Sequence, residues 1–385
     1  MNRVYLDHNA TSLMRPEAMQ AVAASMRLPG NASSVHMEGR VAREIVEEAR
    51  EKLAASLGCA ARQVVFTSGG TEANVMALSP CWFPGADDAD LFISAIEHPS
   101  VLQGGQFRAD RVTKLPVGPD GIVDTDETRR ILESRNAERN APFLLSVMLA
   151  NNETGAIQPV GELARIAHAF GGIMHTDLVQ AFGKMQINAG ALGVDLATVS
   201  AHKIGGPKGV GALAILREGL PVAALLKGGG QESGYRAGTE NVPAIAGFGA
   251  VADVNMMEWQ RIGGLRDRLE ARLKEMTPEL SIFSANVPRL PNTSCFAAPG
   301  MDSETLLMTL DLGGIAVSAG SACSSGKVAR SHVLDAMGIE PELASGAIRV
   351  SLGWNTSGHD IDRFLAAWEG IVRRFARPRS EQNVA

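Results

Sequence analysis

Cysteine is scarce in this chain: four in 385 residues, Cys59, Cys81, Cys295 and Cys323, with no Cys-x-x-Cys pair and no regular spacing. That pattern excludes a disulfide framework and a cysteine-built zinc site. The eight histidines are scattered and no His-Glu-x-x-His occurs, so no protein-built metal site is expected. Excess positive charge is missing too. With 36 Lys+Arg against 42 Asp+Glu the net charge is -6, which leaves no electrostatic footprint for nucleic acid or an anionic membrane. No apolar run approaches the ~20 residues that span a bilayer. The amino terminus, Met-Asn-Arg-Val-Tyr-Leu-Asp-His, lacks the apolar core of a signal peptide, and a cytoplasmic setting is expected. Internal repeats and low-complexity segments are absent.

What is present is the composition of an ordinary globular protein: 45% hydrophobic, 20% charged, with mean hydropathy near zero. The length suits one large core plus a smaller one, hence two domains. Strand-like runs at 64–66, 91–94, 112–117, 143–149 and 173–176 alternate with helical stretches. Those helices start at Pro16, run over 35–57 with a stripe of Val41, Ile45, Ala49, Leu53 and Leu57, and recur near 161–170. Such alternation predicts an α/β fold, a mostly parallel sheet with helices on both faces. A charged amphipathic helix at 256–276 (Leu265, Leu269, Leu273) marks the crossover into a second domain. Strands at 281–284 and 292–297, a helix after Asp302, a strand at 348–352 and a helix from Asp360 follow.

The chain is organised around residues 194–212. A short apolar run (Leu196, Ala197, Val199) ends in Ser200-Ala201-His202-Lys203, followed by a Gly-Gly-Pro turn. An unpaired buried ammonium tends to shed its proton, and the resulting amine can form a Schiff base with an aldehyde cofactor. The plainer reading is a surface lysine beside a Gly-Pro turn. Thr67-Ser68-Gly69-Gly70-Thr71-Glu72 joins a strand to a helix, and its backbone N–H groups offer an anion site or simply a capped turn. Ligands of parallel sheets gather where strands end. There stand His98, Asn151-Asn152-Glu153, Asp177, Gln180 and Ser200/His202/Lys203. Singly each is an ordinary structural residue: a loop histidine, a helix cap. Together they place acid, amide, imidazole and lysine on one rim. The glycine-rich stretch 228–241 is a long polar loop of the kind that is functional or disordered more often than incidental. Cys323, among Ser, Ala and Gly, is expected to be exposed and mobile, whereas Cys295 sits in an apolar strand and reads as core.

An ordered set of motifs resembles the cysteine desulfurases, pyridoxal enzymes related to the class V aminotransferases. The set comprises Tyr-Leu-Asp-His-Asn-Ala-Thr (5–11), Thr-Ser-Gly-Gly-Thr-Glu (67–72), Glu-His-Pro (97–99), Asn-Asn-Glu-Thr-Gly (151–155), His-Thr-Asp-Leu-Val-Gln (175–180) and Ser-Ala-His-Lys (200–203). It continues with Arg-Ala-Gly-Thr-Glu-Asn (236–241), Gly-Ser-Ala-Cys-Ser-Ser-Gly (320–326), Ser-His-Val-Leu (331–334) and Ile-Arg-Val-Ser-Leu-Gly (348–353). The likeness runs from about residue 3 to 375 and is strongest to the nitrogen-fixation-type branch, with its long Ser-Ala-Cys loop. It implies the pyridoxal-phosphate fold type I (aspartate aminotransferase-like), with a large cofactor domain over 15–255 and a small α/β domain from 1–14 and 256–385. It also implies conversion of L-cysteine to L-alanine, with sulfur passing through a persulfide on Cys323 to an iron–sulfur scaffold or other acceptor protein, nitrogenase clusters included. A selenocysteine lyase or another class V aminotransferase is the neighbouring alternative.

By the same resemblance Lys203 holds the pyridoxal phosphate aldehyde, Asp177 pairs with the ring nitrogen, and Gln180 bonds the ring hydroxyl. His98 stacks on the ring as acid or base. Gly70, Thr71, Ser200 and His202 hold the phosphate, with Thr239 reaching in from the other subunit of a homodimer. Arg349 forks onto the substrate carboxylate, assisted by Asn152 and Asn31. Three departures stand out: Ala32-Ser33-Ser34 after Asn31 where a proline is usual, His8 where asparagine is common, and the basic Lys327-Val328-Ala329-Arg330 after the cysteine loop.

Overall fold

The computed structural model describes residues 3–83, 85, 88–139, 141–221, 224–253, 255–319 and 330–375. Its centre is a seven-stranded sheet made of β2 (Val64–Thr67), β3 (Asp90–Ser94), β4 (Val112–Leu115), β5 (Phe143–Ser146), β6 (Ile173–Asp177), β7 (Leu196–Ser200) and β8 (Gly211–Ile215), following β1 (Val4–Tyr5) in the chain. The order across it is β2-β8-β7-β6-β5-β3-β4. All neighbours are parallel except β8, which runs antiparallel to both β2 and β7. Side chains of successive strand residues go to opposite faces. Val64 and Phe66 of β2, with Phe143 and Leu145 of β5, join the core layer on one face, which includes helix Met37–Leu57 and Phe248. Val65 and Leu144, one residue out of step, join the other, with Ala73 and Met76 of helix Gly70–Ala77. Helices on both faces are thus explained by the strand alternation itself.

A second core forms around an antiparallel sheet of β9 (Ser281–Ile282), β10 (Thr293–Ala297), β12 (Ser318–Ala319) and β13 (Ile348–Ser351). Trp259, Ile262, Leu269 and Leu273 of helix Met256–Met276 pack there with Phe296, Phe364 and Trp368. The amino-terminal arm joins it: Val4 and Leu6 are buried in this core, and β1 pairs in parallel with β11 (Ile315–Ala316).

The expected elements occur, with shifted bounds. The helix read from residue 35 begins at Met37, because His36 caps it, its Nδ1 accepting from Gly39 N at 3.2 Å. Its buried line is Ala42, Val46, Ala49, Leu53 and Leu57, while Val41 is exposed. A strict four-residue step drifts around a helix of 3.6 residues per turn. Helix Thr125–Glu138 was not anticipated, since only Ile131 and Leu132 interrupt its charged run.

Candidate active site

The ends of β6 and β7, the start of helix Gly70–Ala77 and β13 converge on one cleft of about 420 Å3. Gly70, Thr71, His98, Asn152, Asp177, Gln180, Ser200, His202, Lys203 and Arg349 all line it. The sequence had placed Gly70 and Thr71 in a turn, Arg349 within a strand and the others at strand ends; the fold brings them to one wall. Asn31 and Thr239 do not line it and are exposed, Asn31 spending its side-chain oxygen on Ser33 N at 2.9 Å. Cys323 lies outside the described residues. Their boundaries there, Ala319 and Arg330, flank the segment that contains it.

Lys203 closes a short 3-10 turn, Ala201–Lys203, directly after β7. Its amine is half-buried and far from unpaired: Nζ donates to Asn9 O at 2.7 Å and Ala10 O at 2.8 Å. The arm that carries Asn9 therefore reaches from the second core to the lysine of the first. Asp177, at the end of β6, is buried, and its two carboxylate oxygens accept from Asn74 Nδ2 and Val179 N, each at 2.8 Å. Its position is fixed by donors only, which keeps a carboxylate in place at the floor of the cleft.

His98 Nδ1 accepts from Ser100 N at 3.1 Å, so a neutral ring carries its proton on Nε2. Burial lowers the affinity of His98 for a second proton, Asp177 opposing and Lys203 and His332 reinforcing that effect. His202 is pushed down to about 4, chiefly by burial and then by the charges of Lys203 and Lys208. Both imidazoles are neutral at neutral pH. Gly69 supplies no side-chain cap to helix Gly70–Ala77. The first N–H groups of that helix are left for an anion, beside the hydroxyl of Ser200. A shallower hollow of about 400 Å3 adjoins this corner, lined by Ser68, Thr71, Ser200, His202 and Lys208.

Arg349 comes from the other body. On β13 it stands opposite Cys295 of β10, and its guanidinium donates to Asp7 Oδ1 at 2.8 Å and Asn152 O at 3.0 Å. Among the described residues its Nε and the Oδ1 of Asn152 are buried without a partner. A donor and an acceptor left over on residues of one cleft suit a ligand carrying both carboxylate and amine. Cys295 is core, as expected, its thiol pushed up by burial.

Sequence reasoning missed several residues that build this site. Asn9 bonds Lys203, Gln180 and Lys184, and its side-chain amide donates to Asn152 O at 3.1 Å and Thr293 Oγ1 at 2.9 Å. Asp7 meets Arg349 across 342 positions of sequence, a pairing no local pattern signals. Asn74 had a readable cue, lying one helical turn from Gly70 and so on the cleft side of its helix. Among the described residues no group of three His, Cys, Asp or Glu side chains could hold a metal ion, and no helix is long and apolar enough to cross a membrane.

A mostly parallel sheet with a lysine at one strand end, an aspartate at the next and an arginine from a second core defines a class of pyridoxal-phosphate-dependent enzyme. Residues 4–364 match the aminotransferase class-V family, and the chain belongs to it. Within that family it belongs to the cysteine desulfurases. A relative from Dictyoglomus turgidum, "Cysteine desulfurase IscS", is 40% identical over 96% of this chain and 95% of its own. A cysteine desulfurase from Cereibacter sphaeroides is 41% identical over 97% of this chain and 96% of its own. Among solved structures, a NifS-like protein from Rickettsia africae superposes with a TM-score of 0.86 at 37% identity, covering 97% of this chain and all of that one (100%).

Proposed function

We propose that the cleft binds pyridoxal phosphate and L-cysteine, and that the enzyme releases L-alanine while passing sulfur through Cys323 to an iron–sulfur scaffold or another acceptor protein in the cytoplasm. The observation that carries this is the meeting of Lys203, Asp177, His98 and Arg349 in one cleft. The residues present fit the cofactor. The uncapped helix start with Ser200 and His202 suits a phosphate, and the donor-fixed Asp177 suits a protonated ring nitrogen. The unpaired Nε of Arg349 and Oδ1 of Asn152 suit an amino acid.

Bound pyridoxal phosphate supplies an electron sink that weakens the bonds at the substrate's Cα and Cβ. The chain's own residues do the rest. Arg349 orients the carboxylate of the substrate and Asn152 Oδ1 its amino group, Lys203 holds and returns a proton at Cα, and His98 presents its Nε2–H as a hydrogen-bond donor. The thiolate of Cys323 attacks the sulfur of the substrate. An S–S bond forms, the C–S bond breaks with its electron pair left on carbon, and that carbon takes up a proton to become the methyl group of alanine. A thiol acceptor then takes the persulfide sulfur.

A homodimer is part of the reading. Met26 (71% exposed), Val35 (87%) and Met37 (64%), at the end of one helix and the start of the next, are exposed apolar side chains. The same region touches the glycine-rich loop, where Gln231 Nε2 donates to Ser33 Oγ at 3.4 Å. Thr239, exposed and off its own cleft, is read as serving the cleft of a second copy. The division into a large domain over 15–255 and a small one over 1–14 and 256–385 is supported by the two cores and by burial of Val4 and Leu6 in the second.

The deciding experiment is incubation of purified protein with L-cysteine and a thiol reductant. Equal amounts of sulfide and alanine are expected; pyruvate without alanine would show β-elimination and remove Cys323 from the mechanism. Cys323→Ala is expected to keep the visible cofactor band and release no sulfide, whereas Lys203→Ala is expected to lose the band.

A further inference from the structure

A second lysine, Lys184, lies beneath the cleft and has no place in the reaction described so far. It is 1% exposed and among the largest fully buried side chains of the protein. Among the described residues no carboxylate pairs with it. Its Nζ donates instead to two amide oxygens, Gln180 Oε1 at 2.8 Å and Asn9 Oδ1 at 3.0 Å. Burial and the neighbouring charges of Lys203 and Arg349 hold its proton affinity well below the usual lysine range. A buried lysine paired only to neutral amides is costly, and something must offset that cost.

Asn9 cannot turn its amide over. Its Nδ2 faces the carbonyl of Asn152 at 3.1 Å, which accepts only, and its Oδ1 takes a further donor, Asn292 Nδ2, at 3.0 Å. Gln180 is anchored from two sides. Its Nε2 donates one hydrogen to Asn9 O at 3.0 Å, and the other end of the amide depends on Lys184. With a donor at Oε1, the amide is locked with its second N–H free, and Gln180 lines the cleft. Without that donor, a buried Oε1 loses its partner, a loss that favours rearrangement of the amide.

We propose that Lys184 is a positioning residue: by donating to Gln180 Oε1 it fixes that amide so that an N–H, and never a carbonyl, is presented to the cofactor's ring oxygen. The inference rests on the pyridoxal phosphate reading of the cleft. An N–H at that place favours the ionised ring oxygen, because a donor stabilises the anion. Lys184 thereby tunes the protonation of the bound cofactor without touching it.

The test is the pH titration of the visible absorption of the cofactor-loaded protein. Lys184→Met keeps the length of the side chain and removes the donor. Its titration midpoint is expected to rise by about one pH unit, a roughly tenfold gain in proton affinity, since the ring oxygen loses an oriented donor. Gln180→Ala is expected to raise the midpoint similarly, and adding Lys184→Met to it should change nothing further, because the lysine acts through the glutamine. Lys184→Gln removes the ammonium but keeps an N–H donor, and its midpoint is expected to stay near that of the wild type. A Lys184→Met titration that overlays the wild type would overturn the proposal. So would a shift undiminished in the Gln180→Ala background, since the effect would then be direct charge. If Lys184→Met does not fold, Lys184→Gln decides alone, a full upward shift there counting against the donor. A wild-type protein that forms no visible band with pyridoxal phosphate would instead refute the cofactor reading itself.

Discussion

Glu97, next to His98, is a carboxyl that its surroundings keep from ionising. It is wholly buried, and that burial pushes it up to about 8, against the bonds from Ser94 and Met148 N that favour its charged form. Among the described residues its Oε2 has no partner. In the unfolded chain the same group ionises near 4.5. Between these values the folded protein holds a proton the unfolded chain has lost, so this residue's contribution to stability falls as pH rises from 4.5 to 8. Glu97→Gln is expected to flatten that slope and to gain stability relative to the wild type at pH 8 but not at pH 4.5. Urea unfolding at the two pH values measures it, and parallel curves would mean that Glu97 is ionised in the fold. His8 shows the opposite sign. Burial lowers it to about 4, so its contribution is complete above its unfolded value of 6.5 and is lost as pH falls toward 4. The sequence marked His8 as unusual; only the fold shows the reason it fits, since a Cβ on Gly353 would stand 2.0 Å from its ring.

At the scale of elements, the end of β7 and the start of helix Gly70–Ala77 are held together by β8. Gly211 pairs with Ser200 on one side and Thr67 on the other, and a Cβ there would lie 2.6 Å from the Gly69 carbonyl carbon and 2.8 Å from Val199 O. The close approach sets the uncapped helix start beside Ser200 and His202. Gly211→Ala is expected to cost about 1–3 kcal/mol through overpacking against backbone and to weaken retention of pyridoxal phosphate. Urea unfolding and cofactor release on dilution read the two effects; wild-type values in both would show that the gap can yield. The strands around this point were legible as apolar runs, and the turn at 67–72 as a helix start. The reversal of β8 was not, because an apolar run bears no mark of its direction and direction is set by which neighbour it meets. The same limit hid helix Thr125–Glu138, whose exposure leaves almost no apolar period to read.

At the scale of the molecule, the amino-terminal arm decides the site. Residues 4–9 pair with β11, bond Ser351 through Leu6 O and His8 N, and end with Asn9 over Lys203. One short segment thus fastens the second core, with Arg349, to the lysine of the first. The exposed Met26 and Val35 belong to the same scale. Met26→Glu combined with Val35→Glu is expected to shift the protein from dimer to monomer in light scattering, and to weaken pyridoxal phosphate binding if Thr239 of a second copy completes the cleft. A wild-type protein that is monomeric at micromolar concentration would refute the dimer.

The sequence by itself determined the class of fold, the strand ends and the chemical kinds gathered there, because hydrophobic period and turn residues are local properties of the chain. It also supplied a resemblance that extends over nearly all of it. The tertiary structure alone decided that Asp7 faces Arg349, that Asn9 reaches Lys203, and that Lys184 lies buried against Gln180. Asp7 and Arg349 are 342 positions apart, and Asn9 and Lys203 are 194 apart. Contacts at such separations follow from how two cores pack, a sum over many residues that no single stretch records.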